Sequence, residues 1–214
     1  MHRSTGLLAA VIAAGLIPAL VLADRHAESL PLDDVRQDAM EIGEKAEAMT
    51  AKAANERDSK NRSMEITMRA VTEKGPADSM GTIKVEASPH GVLFRPDLAG
   101  LKPGVHGFHL HENPDCGPLK KDGKTVPGGA AGGHYNPKGG SHNGPYEKGH
   151  MGDLPALYAT SDGSVTVPVL APRLKIKDLY GRALIIHEGG DNYSDSPEAL
   201  GGGGARVACG VIEK

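Results

Sequence analysis

The sequence predicts an all-β fold, a sandwich or barrel of about eight short strands with two long loops. Three observations predict it. Glycine is abundant, 29 residues of 214, and all but three lie beyond Lys74, so a front that tolerates helix gives way to a turn-rich remainder. From Ser63 onward, short apolar or alternating runs recur between Gly, Pro and Asp. Two connections, roughly 113–155 and 188–204, exceed any ordinary turn, and loops of that length without secondary structure are usually functional or disordered.

The chain opens on MHRSTGLLAAVIAAGLIPALVLADRHA, in which Arg3 precedes an apolar run from Leu7 to Ala23. The run closes on Val21-Leu22-Ala23, which is the pattern of a secretory signal peptide over residues 1–23. Left uncleaved, such a run sits at the lower edge of a membrane span; Pro18 and the small-residue ending favour cleavage and export. Residues 24–63 read as a charged, partly helical extension. Leu32, Val35, Ala39, Ile42, Ala46, Met49 and Ala53 recur every three or four residues, which places them on one helical stripe. Its alanines and Gly43 make the stripe weak, so a solvated spacer is favoured over a coiled coil or a segment that mediates a further contact.

The β domain occupies residues 64–214. Its runs are MEITMRAV (64–71), GTIKVEA (81–87), GVLFRPDL (91–98), GVHGFHLHE (104–112), SVTVPVLA (164–171), RALIIHE (182–188) and ARVACGVI (205–212), with a weaker one near 156–160. Trp is absent and aromatics are 3%, so the core must be aliphatic. Net charge is −3, and no basic stripe with interleaved aromatics suggests nucleic acid. Nucleotide-binding glycine motifs and internal repeats are also missing. Cys116 and Cys209 make an even count, which in an exported chain favours one disulfide over two buried thiols.

The chemistry lies in the histidines. His90, in a turn, and His106, on the opposite strand face from His109 and His111, read as structural. Residues i and i+2 of a strand share a face, so His109 and His111 converge while Phe108 and Leu110 point to the core. The stretch HYNPKGGSHNGPYEKGHMGD (134–153) sets His134, His142 and His150 at even steps, then Asp153, without apolar periodicity. Fixing such a loop costs about 1–2 kcal/mol per residue in backbone entropy, which a bound cation can offset. Three imidazoles and a carboxylate suit tetrahedral Zn²⁺. His187 ends the apolar run ALIIH. An all-imidazole set suits copper, and these seven side chains suffice for two ions if one histidine serves both.

At this point the sequence resembles the copper–zinc superoxide dismutases, specifically the exported bacterial type. GFHLHENPDC (107–116) and GGGGARVACGVI (201–212) look like the family's two signatures. GGHYNP (132–137), GHMGDLP (149–155) and IIHEGGDNY (186–193) resemble its metal segments. The resemblance covers about residues 64–214 and stops short of 24–63. It implies an eight-stranded Greek-key β-barrel binding one Cu and one Zn ion per subunit. Copper would be held by His109, His111, His134 and His187, and zinc by His134, His142, His150 and Asp153, with His134 as bridge.

The implied reaction is disproportionation of superoxide into dioxygen and hydrogen peroxide, for antioxidant defence in the periplasm. His134 would take up and deliver a proton, and Arg206 would orient the anion. Asp191 would hydrogen-bond histidines of both sites, and Cys116–Cys209 would tie the first long loop to the last strand. Electrostatic steering belongs to the family; here Lys120, Lys121 and Lys124 would contribute it, unless they are only a solubilising turn. The resemblance leaves a monomer and a homodimer both open. A non-catalytic copper-handling module would lack a copper ligand or the arginine, and a copper-only enzyme would lack the zinc set; all are present.

Overall fold

The computed structural model describes residues 42–50, 63–146 and 148–213. Residues 42–50 form a helix with every side chain exposed. The expected signal peptide, and the rest of the helical stripe, lie outside the described residues. Among the described residues, no helix is long and apolar enough to cross a membrane.

The β domain contains β1 (Ser63–Thr72), β2 (Gly75–Ser88), β3 (Gly91–Leu98), β4 (Gly104–His106), β5 (Phe108–His111), β6 (Leu119–Lys121), β7 (Lys124–Val126), β8 (Leu157–Ala159), β9 (Val169–Ala171), β10 (Arg182–His187) and β11 (Arg206–Ile212). One antiparallel sheet runs β5-β10-β11-β1-β2-β3-β9, and β4 pairs with β8. β4 and β5 are one strand broken at Gly107, so the curled sheet continues onto β8. The expected eight strands are therefore β1, β2, β3, β4–β5, β8, β9, β10 and β11. β11 returns from the far end of the chain to lie beside β1, a Greek-key arrangement.

Alternation explains the inner face. In β3, Val92, Phe94 and Leu98 are buried while Arg95 and Asp97 face out. Phe94 meets Phe108 edge-on, with ring centroids 5.4 Å apart. β10 departs from alternation, with Ala183 through His187 all buried. Its Leu184 and Ile186 belong to the main core, whereas Ala183 and Ile185 pack in a second cluster with Cys116, Ala131 and Cys209. The first long loop thus covers the outer face of β10, and the Cys116–Cys209 disulfide pins it there.

Two expectations change. Only Val169–Ala171 of the 164–171 run is strand; Pro168 lacks a ladder donor, and Val165 instead bridges to Leu98. Within the first long loop, β6 and β7 form a hairpin around Asp122 (φ 52°) and Gly123 (φ 75°). Both are left-handed, as a two-residue hairpin turn demands.

Candidate metal centre

β5 is the base of the site. Its core face carries Phe108 and Leu110, its other face His109 and His111, and all four are buried. Backbone pairing recruits the loop: Tyr135 N–H donates to the Leu110 carbonyl at 2.7 Å, and Leu110 N–H to the Gly152 carbonyl at 2.9 Å. Isolated bridges therefore set His134 opposite His111 and Asp153 opposite His109. On the other side β10 pairs Ile185 with His109, and His187 follows at its end.

Two ligand-type groups result, each with its donor atoms within 4.8 Å of one another. One is His109, His111, His134 and His187; the other is His134, His142, His150 and Asp153. All seven side chains are buried, and His134 belongs to both groups. Each group matches the set expected from the sequence.

In the first group, hydrogen bonds fix the tautomers. His109 Nε2–H donates to Asp191 Oδ2 at 2.8 Å, His111 Nδ1–H to the Gly132 carbonyl at 2.9 Å, and His187 Nδ1–H to the Gly204 carbonyl at 3.2 Å. The nitrogens left over, His109 Nδ1, His111 Nε2 and His187 Nε2, are buried without a hydrogen-bond partner. Three partnerless lone pairs in one place are costly unless a cation takes them. Burial pushes all four imidazoles down, His134 to about 4 and His187 to about 3. They are neutral at neutral pH, as ligands must be.

In the second group, Nδ1 of His134, His142 and His150 lie 3.0, 2.9 and 3.1 Å from the single atom Asp153 Oδ1. One carboxylate oxygen offers about two lone pairs, too few for three donors. A tetrahedral ion with bonds of about 2.0–2.1 Å spaces its ligand atoms by roughly 3.3 Å, close to these separations. The donor chemistry and spacing both fit zinc. Asp153 Oδ2 accepts the backbone N–H groups of His150 (3.1 Å) and Asn143 (3.3 Å). Despite its burial, the facing histidines hold the Asp153 carboxyl well below the usual range.

Asp191 joins the groups. Its Oδ2 accepts from His109, and its Oδ1 accepts from His142 Nε2–H at 2.8 Å and from Tyr193 N–H at 2.7 Å. Burial opposes charge on His142, yet the Asp153 and Asp191 carboxylates raise it to about 9. Arg206 stands opposite His187 in the β10–β11 register. Its guanidinium donates to the Gly128 and Gly132 carbonyls, both at 2.6 Å, and its charge helps lower His111 and His187. Lys120, Lys121 and Lys124 are exposed on the β6–β7 hairpin, outside the cluster.

Some contributors leave no sequence pattern. Asp195 accepts the backbone N–H of His142 at 3.0 Å. The Tyr193 hydroxyl accepts the Ala156 N–H at 3.0 Å. His106 has the structural place expected of it, its ring nitrogens 2.7 Å from the carbonyls of His187 and Lys102.

An antiparallel Greek-key barrel carrying two histidine-rich clusters that share one imidazole defines a protein built around a dinuclear metal site. The comparisons with known proteins agree. The family model "Copper/zinc superoxide dismutase (SODC)" matches residues 79–212. Superoxide dismutase [Cu-Zn] 1 of Salmonella typhimurium is 56% identical over 152 residues, covering 70% of this chain and 86% of its own. Among solved structures, the Cu/Zn superoxide dismutase from Brucella abortus superposes with a TM-score of 0.70 at 52% identity, over 71% of this chain and 99% of its own. The monomeric copper, zinc superoxide dismutase from Salmonella enterica does so with 0.65 at 49%, over the same shares. The chain belongs to the copper/zinc superoxide dismutase family.

Proposed function

We propose that His109, His111, His134 and His187 hold copper, that His134, His142, His150 and Asp153 hold zinc, and that Arg206 receives the substrate anion beside the copper set. The sharing of His134 between the two groups carries this assignment. The activity is that of the family: two superoxide ions and two protons become dioxygen and hydrogen peroxide, with one Cu and one Zn per subunit. Copper, when bound, supplies a one-electron acceptor and donor. The chain's own residues do the rest.

Arg206 binds the anion through charge it keeps at any working pH, while the Gly128 and Gly132 carbonyls stop the guanidinium from swinging away. His134 Nδ1 faces the zinc group, which leaves Nε2 to hold a proton on the copper side and release it to the substrate. Asp191 and Asp153 orient the rings, and such partners fix tautomer and basicity. Both ligand sets are complete within one chain. The apolar run Leu7–Ala23 and the Cys116–Cys209 disulfide support action outside the cytoplasm, in the periplasm.

Metal analysis of the wild type and of His187→Ala, with a superoxide-consumption assay, tests the assignment. The wild type should carry one copper and one zinc per chain, and His187→Ala should lose copper and activity while keeping zinc. Zinc without copper-dependent activity in the wild type would favour a non-catalytic binding module on the same barrel.

A further inference from the structure

We propose that Arg173 is a positioning residue for zinc, a guanidinium that folds the loop leading to His150 into its ligating shape before the ion arrives. This rests on the assignment of zinc to His134, His142, His150 and Asp153.

Arg173 lies just past β9, between Ala171 and Leu174, each 2% exposed. Its backbone is therefore anchored in the core on both sides. The half-buried side chain reaches across to the loop and donates to four main-chain carbonyls: Nε to Pro145 at 2.9 Å, Nη1 to Gly149 at 2.9 Å, and Nη2 to Gly144 at 3.0 Å and His150 at 2.5 Å. Four carbonyl dipoles aimed at one point repel each other unless a cation sits there. Arginine alone offers a rigid fork of five N–H donors for that purpose. A lysine ammonium has three donors on one atom and cannot meet four separated oxygens.

Among the described residues of the turn, Gly144, Pro145 and Gly149 are buried, but the largest side chain, Tyr146, is 70% exposed, so much of the turn's shape is left to main-chain hydrogen bonds. Yet the shape matters at the ligands: the turn ends on His150, and a Cβ at Gly149 would lie 2.8 Å from Asp153 Oδ2. By tying the residues on both sides of the turn to β9, Arg173 removes ordering cost from the binding step. No such contact reaches the backbone of His109, His111 or His187, so its effect falls on zinc before copper.

The test uses the mature chain with both metals bound, comparing wild type, Arg173→Met, Arg173→Lys and His150→Ala. The first readout is the rate of zinc release to excess chelator at neutral pH. The second is the d–d absorption of cobalt(II) placed in the zinc site. Zinc should leave Arg173→Met about tenfold faster or more, in the range expected when a partner of a metal ligand is lost. Its cobalt bands should shift, copper content should hold, and Arg173→Lys should fall between. Release and cobalt bands like wild type in Arg173→Met, even with a lower melting temperature, would overturn the proposal. If Arg173→Met does not fold, Arg173→Lys decides: roughly threefold faster release supports the role, since lysine replaces only part of the fork, and an unchanged rate overturns it. Zinc retained at full affinity in His150→Ala would instead overturn the ligand assignment itself.

Discussion

Asp191 can reach His109 and His142 together because residue 201 has no side chain. Gly201 has φ +76°, and a Cβ there would stand 2.0 Å from Asp191 Oδ1 and 2.8 Å from His142 Nε2. An alanine must therefore displace the carboxylate that links the two ligand groups, in addition to the cost of a left-handed backbone. Gly123 separates these effects, since it has φ +75° but nothing within 4 Å of its Cβ position. Gly201→Ala should weaken metal binding by about 10–100-fold, the usual consequence of losing a carboxylate behind metal-binding histidines. Gly123→Ala should lose at most ~1–2 kcal/mol of stability from backbone strain, with metal content intact. Metal per chain after dialysis against graded chelator measures the first, and denaturant titration the second. Equal metal retention in the two variants would show that Asp191 is not held by this fit.

The first long loop is an element with three functions. Cys116 fastens it to β11, Gly128 and Gly132 hold Arg206, and the β6–β7 hairpin carries Lys120 and Lys121 into solvent. The hairpin root is packed tightly on the segment that holds the arginine, for a Cβ on Gly129 would lie 2.6 Å from Leu119 Cβ. Attraction of the anion by this family is established; we propose that the exposed lysines of the hairpin contribute to it here. Lys120→Glu with Lys121→Glu should lower kcat/KM several-fold at low salt, with the deficit fading near 1 M, where the Debye length shrinks to about 3 Å. Stopped-flow superoxide decay at a series of ionic strengths checks this, and a salt-independent loss would point to a displaced loop. Read from the sequence, the hairpin falls inside a long loop and is missed, although Asp122-Gly123 is a strong two-residue turn signal, because its strands are only three residues long. Arg173 was not legible, because carbonyl partners 23–29 residues away leave no pattern of side-chain types.

Across the whole molecule, strand existence followed from apolar runs and their punctuation, while strand ends did not. Where Pro168 denies a ladder bond the expected strand shortens, and where the loop covers β10 the alternation vanishes. The residues that gather in the two clusters were legible because metal chemistry restricts residue type and order. Their supporting contacts were not, being mostly backbone. The barrel also stores His109, His111, His134 and His187 in an environment that resists protonation, and that has a measurable consequence for global stability. Burial lowers His109 and His111 and takes His134 to about 4 and His187 to about 3, whereas the unfolded chain protonates histidine near 6.5. Below that pH the unfolded state binds more protons, so stability falls as pH falls. His142, raised to about 9, acts in the opposite window; its contribution is complete below pH 6.5 and is lost between 6.5 and 9. Asp153 and Asp191, both held low, contribute above the ordinary carboxylate range and lose that contribution only in stronger acid. Protein stripped of metal should therefore be most stable near pH 6.5–7 and weaken towards pH 5, with about 2 kcal/mol from His134 alone at pH 5. Urea unfolding of stripped protein at pH 7, 6 and 5 measures this, and a midpoint that stays flat across that range would contradict it. Reloaded protein should resist the same acid shift until the ions themselves are displaced, because protons must then compete with metal for the same lone pairs.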